Sequence, residues 1–380
     1  VVGVATTASG PEGDAGDGVR VHRIGSAWAE RVPGAYSDSD HRPHVPAPDP
    51  GVAAALRRLV AAERPDVVVA HNWIAWSYLA VKHADSPPLL WTLHDYSAGC
   101  HKRSRLPAPR IGRTCPGPRL SRCVACGTEQ YGALRSAALA TSLRVSTATL
   151  LRRAERIVAV SRAVAAAAEP VVERPVDVIP TALADGLADV ARTTPRPDFL
   201  PAEPYLLFAG ALGRHKGVHV LLDAHRRLGR RPPLVVLGTP RADQPQEWGP
   251  GVTVRTDVPH EQVMAAWRHA LLGVVPSVWA EPWGHVAAEA ATVGRAVVAS
   301  RTGGLVDVVQ DGVTGVLVPP GDPAALAAAL QELLDDPDRR ARMGAAGARR
   351  AESFTVSHIT ERVEQELLAL VRRRCGRRVR

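Results

Sequence analysis

Two carboxylates, Glu281 and Glu289, stand eight residues apart in VVPSVWAEPWGHVAAEAATVGRAVVASRTGGLVDVVQDGVTGVLVPPGD, the stretch from Val274 to Asp322. Between and after them come a helix start, a short apolar strand and the pair Gly303-Gly304. A helix start offers free backbone N–H groups and a positive dipole end to anionic oxygens. A carboxylate accepts hydrogen bonds from hydroxyls, which a sugar or a ribose supplies. The ordering therefore suggests a site for a sugar carried on a nucleotide diphosphate.

Further candidates end short apolar runs. His94 and Asp95 follow Leu89–Leu93, and His71 and Asn72 follow Val67–Ala70. In parallel α/β sheets, side chains at the carboxyl ends of strands face the ligand. Four of the 5 cysteines, Cys100, Cys115, Cys123 and Cys126, fall in a C-x14-C-x7-C-x2-C pattern. Disulfides are uncommon in the cytosol, so a structural zinc is favoured over reduced thiols or disulfides. Seven Lys or Arg and no acid lie between Cys100 and Cys126, which favours the thiolate forms. Cys375 is read as a free thiol in the tail.

These groups need a scaffold. The 380 residues suggest about two domains. Apolar strands alternate with Ala/Leu-rich helices, which predicts α/β folding with parallel sheets. In the first half, strands are expected at Val1–Ala5, Val19–Ile24, Val67–Ala70, Leu89–Leu93, Ile157–Val160 and Val176–Ile179. Helices are expected at Pro50–Ala62, Trp73–Lys82 and Arg135–Arg153. In the second half, strands are expected at Tyr205–Ala209, Leu234–Leu237, Val252–Arg255, Gly273–Pro276, Ala296–Ala299 and Gly315–Val318. Helices there are expected at Val218–Leu228, Glu261–Arg268, Val286–Thr292, Pro323–Asp335 and Asp336–Arg350. A linker is placed near Asp189–Pro204, giving an N-terminal domain over 1–190 and a C-terminal one over 200–352. The helix Val356–Arg374 is expected to pack back on the first domain. The opening strand runs into a polar loop and a second strand, so an N-terminal strand–loop–helix unit is expected to be missing.

Composition narrows the partners. The hydrophobic fraction is 46% and the formal charge +9, with lysine only at Lys82, Lys102 and Lys216. The apolar runs are too short to span a bilayer, and the N-terminus does not read as a signal peptide, so a cytoplasmic location is expected. Twelve Lys or Arg from Lys102 to Arg156 face only Glu129 and Glu155, and the tail from Arg372 adds six arginines. Such patches suit a solvated face, or peripheral contact with an anionic membrane or a phosphorylated acceptor. Nucleic acid is not expected, because interleaved aromatics and a binding motif are lacking.

The Glu281–Val318 stretch resembles the retaining GT-B glycosyltransferases called family 4, whose E-x7-E motif matches Glu281-PWGHVAA-Glu289. The flanks VPSVWAEPWG and DGVTGVLVPPGDPAALAAAL match too, as does LLFAGALGRHKGVHVLLDA upstream. DVVVAHNW, LLWTLHDYSAGC and RIVAVSRAV resemble it more weakly. The resemblance implies two Rossmann-like, doubly wound domains facing across a cleft, with the acceptor on the N-terminal side and the donor on the C-terminal side. It implies a nucleotide-diphospho-sugar donor and transfer with retention, and no catalytic metal.

The resemblance also assigns roles. Glu281 reaches donor-sugar hydroxyls, and Trp283, Gly284, His285 and Val286 offer backbone N–H groups to the sugar or diphosphate. Glu289 accepts from the ribose. Lys216 holds the departing diphosphate, and Gly210 ends the strand before it. The family's usual Arg after that glycine is Ala211 here, so Arg214 is the candidate second cation. Gly303 and Gly304 let the backbone approach the donor, and Asp307 stands where the family usually has Glu. His94 contacts the donor sugar near the reacting centre, while His71, Asn72 and Asp95 line the acceptor side. A subset of the family carries such cysteines after the HDY segment. Alternatives are an impaired nucleotide-sugar-binding remnant, motivated by the unit expected to be missing, and a sugar-nucleotide epimerase or a phosphorylase of the same architecture.

Overall fold

The computed structural model describes residues 2–6, 13–14, 18–27, 45–106 and 115–378. Strands β1 (Val2–Thr6), β2 (Gly13–Asp14) and β3 (Val19–Arg23) form a small sheet in the order β1-β3-β2, with β1 and β3 parallel. Helix α1 (Pro50–Glu63) follows, capped by Asp49, whose side chain accepts from the amides of Gly51 and Val52. Such a cap contributes about 1 kcal/mol.

The first parallel sheet has the order β4-β5-β6-β7, from β4 (Val68–His71), β5 (Leu89–Leu93), β6 (Arg156–Ala159) and β7 (Asp177–Val178). Helices α2 (Ile74–Val81), α3 (Leu120–Tyr131), α4 (Ala133–Leu150) and α5 (Arg162–Val172) connect its strands. Trp76 of α2 meets Trp91 of β5 edge to face, with centroids 4.7 Å apart, and both are fully buried. Large apolar rings in that arrangement anchor a helix layer on a sheet.

Helix α6 (Leu187–Thr193) occupies part of the segment expected to be a plain linker. Buried Leu187 and Ala191 dock it, so tertiary contact supports a helix too short to be stable alone. Strands β8 (Leu206–Ala209), β9 (Leu234–Leu237), β10 (Val252–Arg255), β11 (Leu272–Val275), β12 (Val297–Ser300) and β13 (Gly315–Val318) then form the second sheet. Its order is β10-β9-β8-β11-β12-β13, parallel throughout. This is the doubly wound order, which reverses between β8 and β11 and opens a crevice at their carboxyl ends. Every residue of β8, β9, β11 and β12 is buried, as expected for strands covered on both faces. The covering helices are α7 (Val218–Arg227), α8 (His260–His269), α9 (His285–Thr292), the short α10 (Leu305–Val308), α11 (Pro323–Asp335) and α12 (Pro337–Glu352).

Helix α13 (Val356–Arg378) leaves the C-terminal domain and lies against the first parallel sheet. Its Ile359 and Leu370 are buried with Leu90, Val158 and Ile179. Arg156 makes two bonds to the Glu366 carboxylate, at 2.8 and 2.9 Å. The crossing is pinned where Val356 N donates to Leu183 O (2.8 Å) and Leu183 N donates to Phe354 O (2.7 Å). No described helix is long and apolar enough to cross a membrane. The Cys375 side chain lies outside the described residues.

Candidate functional site

The two strands flanking the reversal each deliver one partner of an ion pair whose carboxylate is buried and whose ammonium is partly exposed. After β8, Gly210 leads into a short 3-10 turn, Arg214–Lys216, and Gly217 then starts α7. A Cβ on Gly217 would lie 1.8 Å from the Pro276 carbonyl oxygen, so only glycine lets the two loops touch. After β11, the loop carries Ser277, Trp279 and Glu281. Lys216 Nζ lies 2.6 Å from Glu281 Oε1, and Ser277 Oγ donates to the same oxygen at 2.7 Å. Lys216 also sits over the Trp279 ring, 5.3 Å from its centroid. Glu281 is buried, which alone would raise its carboxyl, but the Lys216 ammonium and the bonds from Lys216 and Ser277 hold it below the usual value. It is therefore an ionised acceptor at neutral pH.

Next comes α9, capped by Gly284 with no side-chain bond to its first-turn amides. The N–H groups of this turn, at His285 and Val286, have no acceptor within the helix. Amides in this position can meet anionic oxygens. Trp283 instead turns its ring inward, edge to face with His285 (4.8 Å) and Phe354 (5.4 Å). Its side chain is a wedge under the helix start, and its backbone packs against Gly304, so the residue is buried. Glu289 lies one turn further along, with Oε1 at 3.0 Å from His260 Nε2 on α8.

Gly303 and Gly304 fit tightly to the Glu281 loop. Added Cβ atoms would lie 2.2 Å from the Glu281 carbonyl oxygen and 2.5 Å from that of Pro282. Gly304 N donates to Glu281 O at 2.6 Å. Their small size therefore lets this turn pack directly on the backbone of the Glu281 loop. Arg214 is not joined to Glu281 by a described contact. Its backbone N donates to Asp243 (3.0 Å), and the residue lines a separate cleft with Asp223, Asp243 and Glu247.

The N-terminal wall is built at the ends of β4 and β5. Asn72 has left-handed backbone (φ 52) and accepts from His94 N at 3.0 Å through its side chain. Its carbonyl accepts from Trp91 Nε1 at 2.7 Å, so Asn72 is tied into the wall as a brace. His71 Nδ1 and His94 Nε2 are 2.8 Å apart, one ring donating to the other. Burial lowers the pKa of both. For His94 the value falls to about 4, with smaller contributions from His71, His285 and Arg103 that outweigh Asp95. Asp95 serves local structure: one oxygen accepts from Ser97 N (2.9 Å) and the other from Arg103 Nε (2.7 Å).

The walls face one another. His285 of the C-terminal domain acts on His94 of the N-terminal one. Burial pushes the Tyr96 phenol up, and Glu281 and Asp307 push the same way across the cleft against Arg105. A direct clasp closes one edge. Asp307 accepts from Arg162 N (2.7 Å) and Arg162 Nε (2.5 Å), at the start of α5. Arg350 holds the same short helix by donating to the carbonyls of Asp307 and Val308.

Beside the N-terminal wall, Cys100, Cys115, Cys123 and Cys126 line one cavity of about 30 Å³. Burial pushes the Cys100 thiol up to about 11 and raises Cys123 as well. The expectation that the basic surroundings favour thiolates is thus overturned for these two, because desolvation outweighs the cations. Cys115 Sγ donates to Gly117 O (3.5 Å) and Cys126 Sγ to Leu106 O (3.6 Å). Among the described residues, no three His, Cys, Asp or Glu side chains gather into a group able to hold a metal ion. Cys123 and Cys126 lie on α3, three residues apart on one helix face.

Comparison with known proteins agrees with this architecture. Residues 3–184 match the family described as Glycosyltransferase Family 4, and residues 193–350 match Glycosyl transferases group 1. The chain is 30% identical over 335 residues to a glycogen synthase of Mycobacterium tuberculosis, covering 81% of this chain and 70% of that protein. A D-inositol 3-phosphate glycosyltransferase of Streptomyces scabiei is 48% identical over 103 residues, 27% of this chain and 23% of the relative. Sucrose-phosphate synthase from Thermosynechococcus elongatus superposes with a TM-score of 0.64 at 25% identity, over 84% of this chain and 77% of that one. Anabaena HepE in complex with UDP has the same fold, with a TM-score of 0.64 at 19% identity over 92% of this chain and 86% of that one. The chain belongs to the GT-B glycosyltransferases of group 1, with an N-terminal half of the family 4 type.

Proposed function

We propose that this protein transfers a sugar, with retention of configuration, from a nucleotide-diphospho-sugar to a hydroxyl acceptor. The observation that carries the reading is the Lys216–Glu281 pair, set at the switch point beside the uncapped start of α9. The donor diphosphate lies along the α9 amides and Lys216, where its growing negative charge is stabilised as the glycosidic bond breaks. Entry of the diphosphate draws Lys216 toward phosphate oxygens and frees Glu281 to accept from sugar hydroxyls. Glu289 accepts from the ribose, in place of His260. His94, neutral and held by Asn72 and His71, supplies a hydrogen bond to the donor sugar from the opposite wall. The acceptor enters from the side of His71 and Asn72 and gives its proton to the leaving phosphate. HepE, of the same fold, is in complex with UDP, which supports a nucleotide diphosphate in this crevice. A trehalose-phosphate synthase of that fold is in complex with glucose-6-phosphate, and inositol phosphate names another relative. Both support an acceptor that is small and hydroxylated.

The test is a screen of nucleotide sugars for thermal stabilisation, followed by calorimetry on Glu289→Ala. One donor should raise the melting temperature by mass action, and the variant should bind it about tenfold more weakly, one charged hydrogen bond's worth. Unchanged affinity removes Glu289 from the ribose site. Inversion in the isolated product overturns the stereochemical reading.

A structural zinc at the four cysteines is a separate proposal, supported by their sharing one cavity. Binding would draw the sulfurs together and release thiol protons, so occupancy should fall as pH falls. Metal analysis of protein never exposed to chelator should give about one zinc per chain; none would sink it.

A further inference from the structure

The amino ends of β5 and β6, opposite the cleft, border a second cavity of about 910 Å³. It lies between the turn before β5, the residues leading into β6, Arg174 after α5 and the last turns of α13. Six cations line it: Lys82, Arg152, Arg153, Arg174, Arg373 and Arg374. The lining acids are Asp85 and Glu155. Glu155 is already engaged, by Lys82 Nζ at 2.6 Å and by Leu89 N at 2.9 Å.

The arginines are oriented mainly by neutral groups. Arg153 donates to Leu79 O (3.2 Å), Arg174 to Ala154 O (2.8 Å) and Arg374 to Asp85 O (2.8 Å) and Asp66 O (3.4 Å). Carbonyls fix guanidinium geometry without cancelling its charge. Burial lowers the Arg174 pKa, and the nearby Arg156 charge adds to this against Glu155. Several oriented guanidiniums around a concave space suit phosphate oxygens, which they meet through paired N–H bonds. The volume suits a small molecule. The large apolar side chains exposed at the described surface, such as Leu134 and Val145, do not line it. That distinguishes it from a membrane-seated surface, where basic and apolar groups act together.

We propose that this cavity binds a small phosphate-bearing polyanion that bridges Arg153 and Arg174 of the N-terminal domain to Arg373 and Arg374 of α13. Because α13 runs out of the C-terminal domain, the anion strengthens the strap joining the two halves. The site is separate from the donor crevice and does not depend on the reading of that crevice.

The test is calorimetry of the full chain with pyrophosphate, in a Lys216→Ala background that removes the cation of the donor crevice. Pyrophosphate should still bind, and adding Arg174→Ala should weaken it about tenfold or more, the loss of one charge-assisted bond. Hydrogen exchange in α13 should slow when pyrophosphate is added. Arg374 also anchors α13, so Arg174, whose one hydrogen bond among the described residues is to the Ala154 carbonyl, is the cleaner position. Arg174→Gln serves if the alanine variant folds poorly. The proposal is overturned if pyrophosphate fails to bind in the Lys216→Ala background, or binds without regard to Arg174. It is also overturned if phosphatidylglycerol vesicles bind through Arg174 while pyrophosphate does not.

Discussion

Lys216 Nζ stands 2.6 Å from Glu281 Oε1, and the two reach each other from opposite sides of the reversal in strand order. The pair neutralises a buried carboxylate. Removing one partner leaves the other charge desolvated, which is costlier than removing both. Lys216→Ala is therefore expected to destabilise the fold by about 3 kcal/mol in urea unfolding, toward the low end for a broken buried pair. Glu281→Gln, which keeps a Ser277 partner, should cost about 1 kcal/mol. The double variant should fall below their sum. The Glu281 carboxyl is depressed in the fold, so its contribution is full above the ordinary value of 4.5 and is lost as pH falls through the lower folded value. The gap between wild type and Lys216→Ala should then narrow on acidification, because burial without Lys216 raises the variant's carboxyl and it takes its proton before that of wild type. A gap independent of pH would show that the pair is not the source of the difference.

His94 is expected to stay neutral through the physiological range, because burial pushes its pKa to about 4. Proton NMR of a ring-labelled protein should show little movement of the His94 shifts between pH 8 and 5, values spanning the ordinary histidine range. The unfolded chain binds this proton near 6.5 and the fold resists it until about 4, so stability declines across that interval as pH falls. His71→Ala should move the His94 midpoint upward, by removing a neighbour whose charge opposes protonation. A wild-type midpoint near 6.5 would mean that the ring is solvated and does not present a neutral imidazole to the cleft.

Much of this was legible locally. Strands at Leu89–Leu93, Leu234–Leu237, Val252–Arg255 and Gly315–Val318 match residue for residue; in all but Val252–Arg255, a partly exposed edge strand, a short apolar run between turns reports a largely buried strand directly. Other strand ends differ by a residue or two. Helix α3 is not legible in the sequence because, of its twelve residues, only Gly127 is buried, so it has no apolar stripe. The Cys123–Cys126 spacing points to metal rather than to a helix. Glu281, Glu289 and Lys216 stood out by motif, but their partners did not. Ser277 and Trp279 are ordinary residues until the loop folds. His260 meets Glu289 only because α8 packs beside α9. Asp95 and Asn72 looked ligand-facing from their strand ends, yet their polar atoms hold the wall together. Such uses depend on three-dimensional neighbours, which periodicity does not encode.

The Arg162–Asp307 clasp spans 145 residues and joins the start of α5 to α10. Arg162 is 74% exposed, so screening keeps the direct contribution to stability small, about 1 kcal/mol or less. Its geometric effect is larger, because it closes one edge of the cleft between the two domains. Asp307→Asn keeps the shape and one acceptor oxygen but removes the charge. It should leave the urea midpoint nearly unchanged while small-angle scattering shows a wider average separation of the domains. Raising the salt concentration should produce the same widening in wild type and little further change in the variant. If the scattering profiles of wild type and variant coincide at low and high salt, closure is held by the Leu183–Phe354 backbone bonds and α13 instead. If the variant unfolds at markedly lower urea, Asp307 serves chiefly to fix the start of α5 rather than to set the width of the cleft.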